Sequence, residues 1–289
     1  MRKLFVVAAM AALMAVAPAS QALGASHHPK GEFAAFTECP LSRATLEACI
    51  YSKSSGGSFQ VGKKTVPLVN PVTLQGGLEN NAKGEQVFFG AENGETLTKA
   101  AQPVPGGLLG VEAPAWWPKF LRDLFNETIN NGFTGVTATV ELAGSASNVK
   151  VNTSNLIFET GTALSLPVKI KLSNPFVGSS CYIGSDSKPV VIDFTTGTTA
   201  PPLPNKPIKG SAGALTINKA FTLITLSGGH LVNNSFAAPE ANGCGGLFSF
   251  LIDPFVNSIV GLPSAAGTNT AILEGVLQTG QAPAVRASE

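Results

Sequence analysis

Of the three histidines, His230 is the one that lies where a turn is predicted to enter a strand, so it is the first residue to consider for acid–base chemistry. A hydrolytic triad would join His230 to Asp193 or Asp253 and to a hydroxyl nucleophile. No nucleophile elbow, H-E-x-x-H helix or S-x-x-K motif accompanies it in a supporting context. The sequence favours a half-exposed histidine at a strand end and leaves a hydrolase using His230 as an alternative.

The other two histidines, His27 and His28, fall in a polar segment near the N-terminus. If cleavage fell after Gly24, His27 would become the third residue and could chelate copper or nickel with a free amine. A cut after Ala22 fits the sequence better, so we predict a solvated tail. We predict no metal and no other cofactor.

Four aspartates and scattered glutamates leave the carboxylate pair of a glycosidase possible, but the aromatic residues that a sugar site needs are scarce. Sugar sites usually add aromatic platforms, and the chain has only two Trp and two Tyr. The aspartates are dispersed along the sequence: Asp123, Asp186, Asp193 and Asp253. We therefore predict that the protein is not an enzyme.

The four cysteines are Cys39, Cys49, Cys181 and Cys244. In an exported chain an even number of cysteines predicts two structural disulfides, and three pairings are open. We favour Cys39–Cys49 and Cys181–Cys244, because each pair flanks one compact sequence unit. A zinc site would require C-x-x-C spacings, which the chain lacks.

The N-terminus has the pattern of a cleaved signal peptide over residues 1–22. Arg2 and Lys3 precede an apolar run over residues 4–16, and small residues at Ser20 and Ala22 suit cleavage. Thirteen apolar residues are too few to span a bilayer of about 30 Å, so no transmembrane span is expected after cleavage. We predict a secreted, extracellular or cell-wall protein with a disordered leader over residues 23–32.

The charge balance argues against nucleic acid as a partner. Removing Arg2 and Lys3 from the 19 basic residues leaves 17, against 18 acidic residues. Charged residues make up 13% of the chain, and no basic cluster is present.

The elements that must position these residues are mostly strands. Residues 133–142 and 164–172 alternate apolar and polar side chains, as in antiparallel sheets with one wet face. Phe59–Leu68 predicts a hairpin centred on Gly62-Lys63, Ser54–Gly57 predicts a turn, and Asn155–Glu159 predicts a strand. The pattern predicts a mainly β protein, built as one or two antiparallel β-sandwiches.

A boundary near residue 144 would divide residues 33–144, an N-terminal β-rich region, from a C-terminal β-rich region over residues 145–289. One amphipathic helix is predicted over residues 117–130, packed on a face or end of a sheet. A second, shorter helix is expected within Leu247–Val260, interrupted at Asp253-Pro254.

Trp116 and Trp117 are adjacent, so they cannot both face the core from a single helix. One interpretation exposes an indole for contact with a lipid or polymer, which makes both residues candidate ligand contacts. The other packs both indoles on the sheet through the bends at Pro114 and Pro118.

Five short stretches lie between residues 181 and 275: Cys181–Ser185, Thr195–Thr199, Asn233–Pro239, Gly243–Gly246 and Gly261–Gly267. Together they resemble a family of secreted actinobacterial proteins. This resemblance implies an exported, cell-envelope or extracellular setting and brings no mechanism with it.

Together these features predict a non-enzymatic β-protein with a binding or structural role at the cell surface. The partner would be a cell-surface or apolar ligand. A carrier of an apolar or lipid ligand is the first alternative, because 44% of the residues are hydrophobic and 17 are Phe.

Overall fold

The computed structural model describes residues 27–107, 112–130 and 135–289, with the side chains of residues 128–130 excepted. The predicted signal peptide over residues 1–22 lies outside these ranges. Within them the protein is mainly β, with two antiparallel sheets in a sandwich-like arrangement, as predicted.

The regular elements follow one another along the chain with short connections. The strands are β1 (Ala48–Val61), β2 (Lys64–Pro67), β3 (Val72–Asn80), β4 (Gln86–Gly90), β5 (Ala101–Pro103), β6 (Thr137–Leu142), β7 (Lys150–Val151), β8 (Leu164–Asn174), β9 (Gly178–Ile183), β10 (Val190–Phe194), β11 (Ala214–Ile217), β12 (Leu223–Asn233), β13 (Ala241–Asn242) and β14 (Thr270–Gln281). The α-helices are α1 (Lys119–Asn130), α2 (Thr153–Phe158), α3 (Ser249–Val260) and α4 (Ala282–Ala287).

Sheet A has the strand order β11-β12-β14-β1-β3-β4, with β2 paired to the end of β1. Its centre is the β1–β14 ladder, which runs from Ala48 opposite Gln281 to Gln60 opposite Thr270. The predicted hairpin is confirmed, because β1 and β2 pair on either side of Gly62 and Lys63. Gly62 has a φ of 57°, which glycine adopts without steric cost.

The turn predicted at Ser54–Gly57 is wrong, because β1 continues through it as a β-bulge. The register against β14 shifts between Ser54 and Gly56. A Cβ added at Gly57 would lie 2.1 Å from the carbonyl oxygen of Ile272. The glycine is required for close approach of two strands, and the chain does not reverse direction there.

Sheet B has the order β13-β9-β8-β6-β5, with β7 and β10 also paired to β8. The predicted alternation on β8 is confirmed, since its apolar positions are buried and the two lysines between them are half-buried. Side chains from both sheets form one continuous apolar cluster, which includes Leu74 and Phe88 of sheet A and Val168 and Ile192 of sheet B. Burial of each such side chain contributes roughly 1.5–3 kcal/mol.

The boundary near residue 144 does not separate two sheets. Sheet A combines β1–β4 with β11, β12 and β14, and sheet B combines β5 and β6 with β7–β10 and β13. The regions 33–144 and 145–289 therefore share both layers of the sandwich, because the pairing of β1 with β14 and of β6 with β8 joins them.

The structure corrects the predicted leader over residues 27–32, whereas residues 23–26 lie outside the described ranges. The backbone N–H of Lys30 donates to the carbonyl of Ser288, and a 3₁₀ helix begins at Gly31. Phe33 and Phe36 are buried in a cluster that includes Val285 of α4. Polar composition suggested solvation, but the two phenylalanines attach this segment to the C-terminal helix.

The predicted helix over residues 117–130 is confirmed as α1, but its expected burial on a sheet is wrong. None of its described side chains is buried, and Phe120 and Leu124 are 69% and 61% exposed. The half-buried Trp117, just before the helix, packs edge-to-face on Phe125 at 5.6 Å between ring centroids. The amphipathic pattern thus forms a helix whose described side chains are exposed or half-exposed.

The second predicted helix is confirmed as α3, but it is not interrupted at Asp253-Pro254. Proline removes one backbone hydrogen bond from a helix interior at a cost of about 3 kcal/mol. Hydrogen bonds made by the side chains of Asp253 and Asn257 hold the helix across Pro254. Across the described residues, every helix is too short or too polar to cross a membrane.

Candidate ligand-binding cavity

An apolar cavity of about 90 Å³ lies at the end of the sandwich where α3 meets the β1–β2 hairpin. Its walls come from both sheets, from the loop after β5 and from α3. The lining residues are Phe59, Val61, Lys64, Val66, Gln102, Val104, Gly107, Val136, Ala138, Val140, Ile170, Leu172, Val177, Ile183, Val256, Ile259 and Val260.

The polar atoms of Gln102 are used within the fold and do not make the cavity polar. Its Oε1 accepts hydrogen bonds from the backbone N–H groups of Val69 and Asn70, at 2.8 and 2.9 Å. Its Nε2 donates to the carbonyl oxygens of Asn70 and Ala100. The lining is therefore almost entirely hydrocarbon, and apolar cavities of this kind exclude water.

Among the described residues that line the cavity, Lys64 is the one that is charged, and it is half-buried. On β2, Lys64 and Val66 face the cavity, whereas Thr65 and Pro67 face solvent. Within the described ranges no carboxylate lies within ion-pair distance of the Lys64 ammonium. A lysine can extend its alkyl stem along an apolar wall while its ammonium reaches water or an anion.

The helix α3 covers the cavity and is attached at several points. The Asp253 carboxylate accepts hydrogen bonds from the backbone N–H groups of Cys244 and Gly243, at 2.7 and 3.3 Å. The Asn257 side chain bonds both the N–H and the carbonyl of Ala241. At the C-terminal end, the N–H of Lys63 donates to the carbonyl of Val260 at 2.7 Å.

The two disulfides join Cys39 to Cys49 and Cys181 to Cys244, so the favoured pairing is confirmed. The second disulfide links β9 of sheet B to the segment that leads into α3. Cys181 and Cys244 are fully buried in the core that also surrounds the cavity. This disulfide therefore fixes the N-terminal side of the helix that covers the cavity.

The cavity reaches the protein surface. Phe59, Val66, Val140 and Ile259 line it but are only half-buried. Apolar cavities of about 150 Å³ bind benzene-sized molecules. This cavity is smaller, so it has room for only a short hydrocarbon segment that enters from the surface.

The candidate catalytic residues are not brought together. His230 lies on β12 opposite Glu274 of β14, with 3.6 Å between Nε2 and Oε1. Among the described residues no hydrogen bond or ion pair joins His230 to Asp193 or to Asp253. Both carboxylate oxygens of Asp253 are occupied by backbone N–H groups near Cys244, which is a structural role.

The described part of the chain contains no group of three metal-ligating side chains. His27 hydrogen-bonds through Nδ1 to the carboxylate of Glu289 at 2.6 Å, and His28 is exposed. The N-terminal metal arrangement suggested by the sequence involves residues before His27, which lie outside the described ranges.

Trp116 and Trp117 lie outside the cavity lining. Trp116 is 81% exposed and packs edge-to-face on Trp117, with 6.1 Å between ring centroids. The exposed indole matches the first interpretation of this pair. Both tryptophans belong to the segment between Gly107 and Val136. Gly107 and Val136 line the cavity, and the tryptophans do not.

We found no match when the chain was compared with protein-family models, with curated proteins and with solved structures.

A wide polar groove of about 860 Å³ lies elsewhere, between β4, β7 and β10. Several of its amides are used within the fold: Gln86 hydrogen-bonds to Thr153, and Asn152 caps α2. Among its described lining residues there is no aromatic side chain on which a sugar ring could stack. The cavity under α3 is therefore the better candidate site.

A surface ion pair joins Lys169 of sheet B to Asp186, with 2.8 Å between Nζ and Oδ1. The hydrogen bond from Lys169, with a second from the N–H of Gly144, lowers the pKa of Asp186. The same hydrogen bond raises the pKa of Lys169. The pair connects β8 to the loop after β9, and the hydrogen bond from Gly144 connects the segment after β6 to the same loop.

Sequence reasoning identified part of the cavity wall without identifying the cavity. The alternation in residues 133–142 and 164–172 placed Val136, Ala138 and Val140 on one side of their strand and Ile170 on the apolar side of the other, and the two strands pair so that these residues share the inner face of sheet B. The contributions of Lys64 and α3 were missed, because they depend on how the hairpin and helix meet in three dimensions.

Proposed function

We propose that this protein is a non-enzymatic binding protein of the cell exterior that accommodates the alkyl chain of an amphipathic ligand. The cavity under α3 carries the proposal, because its lining is hydrocarbon and it reaches the surface. The predicted signal peptide and the two disulfides agree with an extracellular setting.

The chemistry of the cavity entrance points to a ligand with an anionic head group. Lys64 lines the cavity, is half-buried and has no carboxylate partner among the described residues. A fatty acid would place its carboxylate beside the ammonium of Lys64 and the first few methylene groups of its tail among the valines and isoleucines. Each buried methylene group would contribute about 0.8 kcal/mol.

Strand β2 offers a matched pair of variants that tests this function. The change Val66→Trp fills the cavity from its wall, whereas Thr65→Trp places the same indole on the solvent face. Displacing about two methylene groups from the cavity weakens binding roughly tenfold. We expect this loss for Val66→Trp and unchanged binding for Thr65→Trp.

The assay is titration of a fluorescent fatty acid into the purified protein. Native mass spectrometry after gentle purification tests for co-purifying lipid in parallel. Equal affinity of the two variants and the wild type would place the ligand outside this cavity. Absence of both probe binding and co-purifying lipid in repeated preparations would refute the proposal.

A further inference from the structure

The helix α3 and the 3₁₀ turn before it expose an apolar surface, which we call the outer face. Leu247 is 94% exposed, Phe250 is 70% exposed, and the remaining members are 47–63% exposed. The outer face consists of Leu247, Phe248, Phe250, Leu251 and Phe255. Contiguous exposed apolar residues of this kind mark contacts with a protein or a membrane.

Another face of the same helix lies in the cavity. Val256, Ile259 and Val260 line the cavity, whereas Phe250 and Leu251 are exposed. Phe255, one turn before Ile259, lies at the border between the two faces. One helix therefore separates the apolar cavity from the apolar outer face. A hydrocarbon chain that passed around α3 would move between two apolar environments with little exposure to water.

The outer face carries no exposed charge. Asp253 is the only charged residue between residues 241 and 262. Its carboxylate accepts backbone hydrogen bonds from Gly243 and Cys244 on the protein side. The exposed ammonium of Lys63 reaches the carbonyl oxygen of Ser258 near the C-terminal end of α3, outside the five residues of the outer face. Membrane contact by the outer face itself therefore depends on apolar insertion.

The extent of the outer face fits a bilayer better than a second protein molecule. Stable protein interfaces bury about 800 Å² per partner and involve roughly 20–30 residues on each side. The outer face has five apolar side chains on a short helix and the turn before it. Insertion of one helical face into a lipid interface requires no more than this.

We infer that the outer face of α3 docks on the surface of a lipid bilayer and places the cavity next to its source of acyl chains. The acyl cargo rests on the proposed function. The docking itself does not, because none of the five outer-face residues lines the cavity.

Flotation with uncharged phosphatidylcholine vesicles tests the docking. We expect the wild-type protein to float with the vesicles and the doubly substituted Leu247→Asp/Phe250→Asp protein to lose at least tenfold in bound fraction. The matched control is Leu215→Asp/Ile217→Asp, which adds the same charges to exposed apolar residues of edge strand β11. This control should bind like the wild type, and raising the salt concentration should not release the protein.

Three results would overturn the inference. They are absence of wild-type flotation, equal flotation of the two doubly substituted proteins, and a dimer in analytical ultracentrifugation that Leu247→Asp/Phe250→Asp abolishes without vesicle binding. The Val66→Trp variant separates the two proposals. Docking predicts that it floats normally, whereas the proposed function predicts that it loses the fatty acid.

Discussion

Replacing Asn269 by Ala should strongly destabilise the protein. Asn269 is fully buried, and its Oδ1 accepts hydrogen bonds from the N–H of Gly62 and the hydroxyl of Ser264, both at 2.8 Å. Its Nδ2 donates to the carbonyl oxygens of Phe236 and Ala265. One side chain thus connects the β1–β2 turn to the segment between α3 and β14.

The expected loss follows from those four hydrogen bonds. Each contributes about 1 kcal/mol net, so Asn269→Ala should lower the free energy of unfolding by about 4 kcal/mol. Domains are typically stable by about 5–15 kcal/mol, so this is a large fraction of the total. The melting temperature should fall by roughly 10 °C.

Urea denaturation measures this loss, with an unchanged dependence on denaturant as the sign of two-state unfolding. The control is Asn93→Ala, because Asn93 is exposed and its side chain accepts one local hydrogen bond from Glu95. Its effect should stay within about 0.5 kcal/mol. Asn269→Asp separates hydrogen bonding from volume, because it replaces the donor at Phe236 by an oxygen.

Two outcomes would show that the hydrogen bonds of Asn269 do not hold this region together. One is a decrease of less than about 1 kcal/mol in the free energy of unfolding for Asn269→Ala. The other is wild-type stability of Asn269→Asp at neutral pH.

Two further predictions concern charge. Lys64→Met should weaken binding of a fatty acid about fivefold, because an exposed ion pair contributes about 1 kcal/mol. The same change should leave binding of the matching fatty alcohol unchanged. Calorimetry with both ligands measures the difference. Asp186→Asn should lower stability slightly at neutral pH. Because the folded pKa of Asp186 is lowered, its contribution is present above the unfolded pKa and disappears as the pH falls through the folded pKa, so denaturation curves of the variant and the wild type should converge in acid. Because the folded pKa of Lys169 is raised, its contribution should be lost only as the pH rises through that value in alkali.

Local patterns in the sequence predicted the elements whose causes are local. The alternation on β8, the Gly62-Lys63 hairpin and the helix over residues 117–130 all depend on neighbours a few residues apart. The disulfide pairing also followed from chain order, because each pair encloses one unit.

The errors arose where distant parts of the chain decide the structure. The glycines of β1 allow close packing against β14, which lies more than 200 residues later in the chain. Because that partner strand is distant in sequence, the glycines were interpreted as a turn. The predicted strand at Asn155–Glu159 is helix α2, because Asn152 caps it and Glu159 ends it in a left-handed conformation. The side chain of Glu159 then bonds the N–H of Ala212, a contact that no local pattern shows.

The cavity could not be predicted because it belongs to no single segment. Its wall requires the register of the β1–β2 hairpin and the position of α3, which the Cys181–Cys244 disulfide and Asp253 determine. The sequence suggested an apolar ligand from composition alone, and its candidate contacts, Trp116 and Trp117, lie outside the lining.

The central ladder of sheet A has a consequence for how the chain reaches its native state. In the β1–β14 ladder, residue 48 pairs with residue 281. The middle of sheet A therefore cannot assemble until the chain between these two residues is free to fold. Contacts between such distant residues slow folding, because a long loop must close before the pairing stabilises it. If the chain is exported as the sequence predicts, this delay would keep it unfolded and able to thread through a narrow translocation channel.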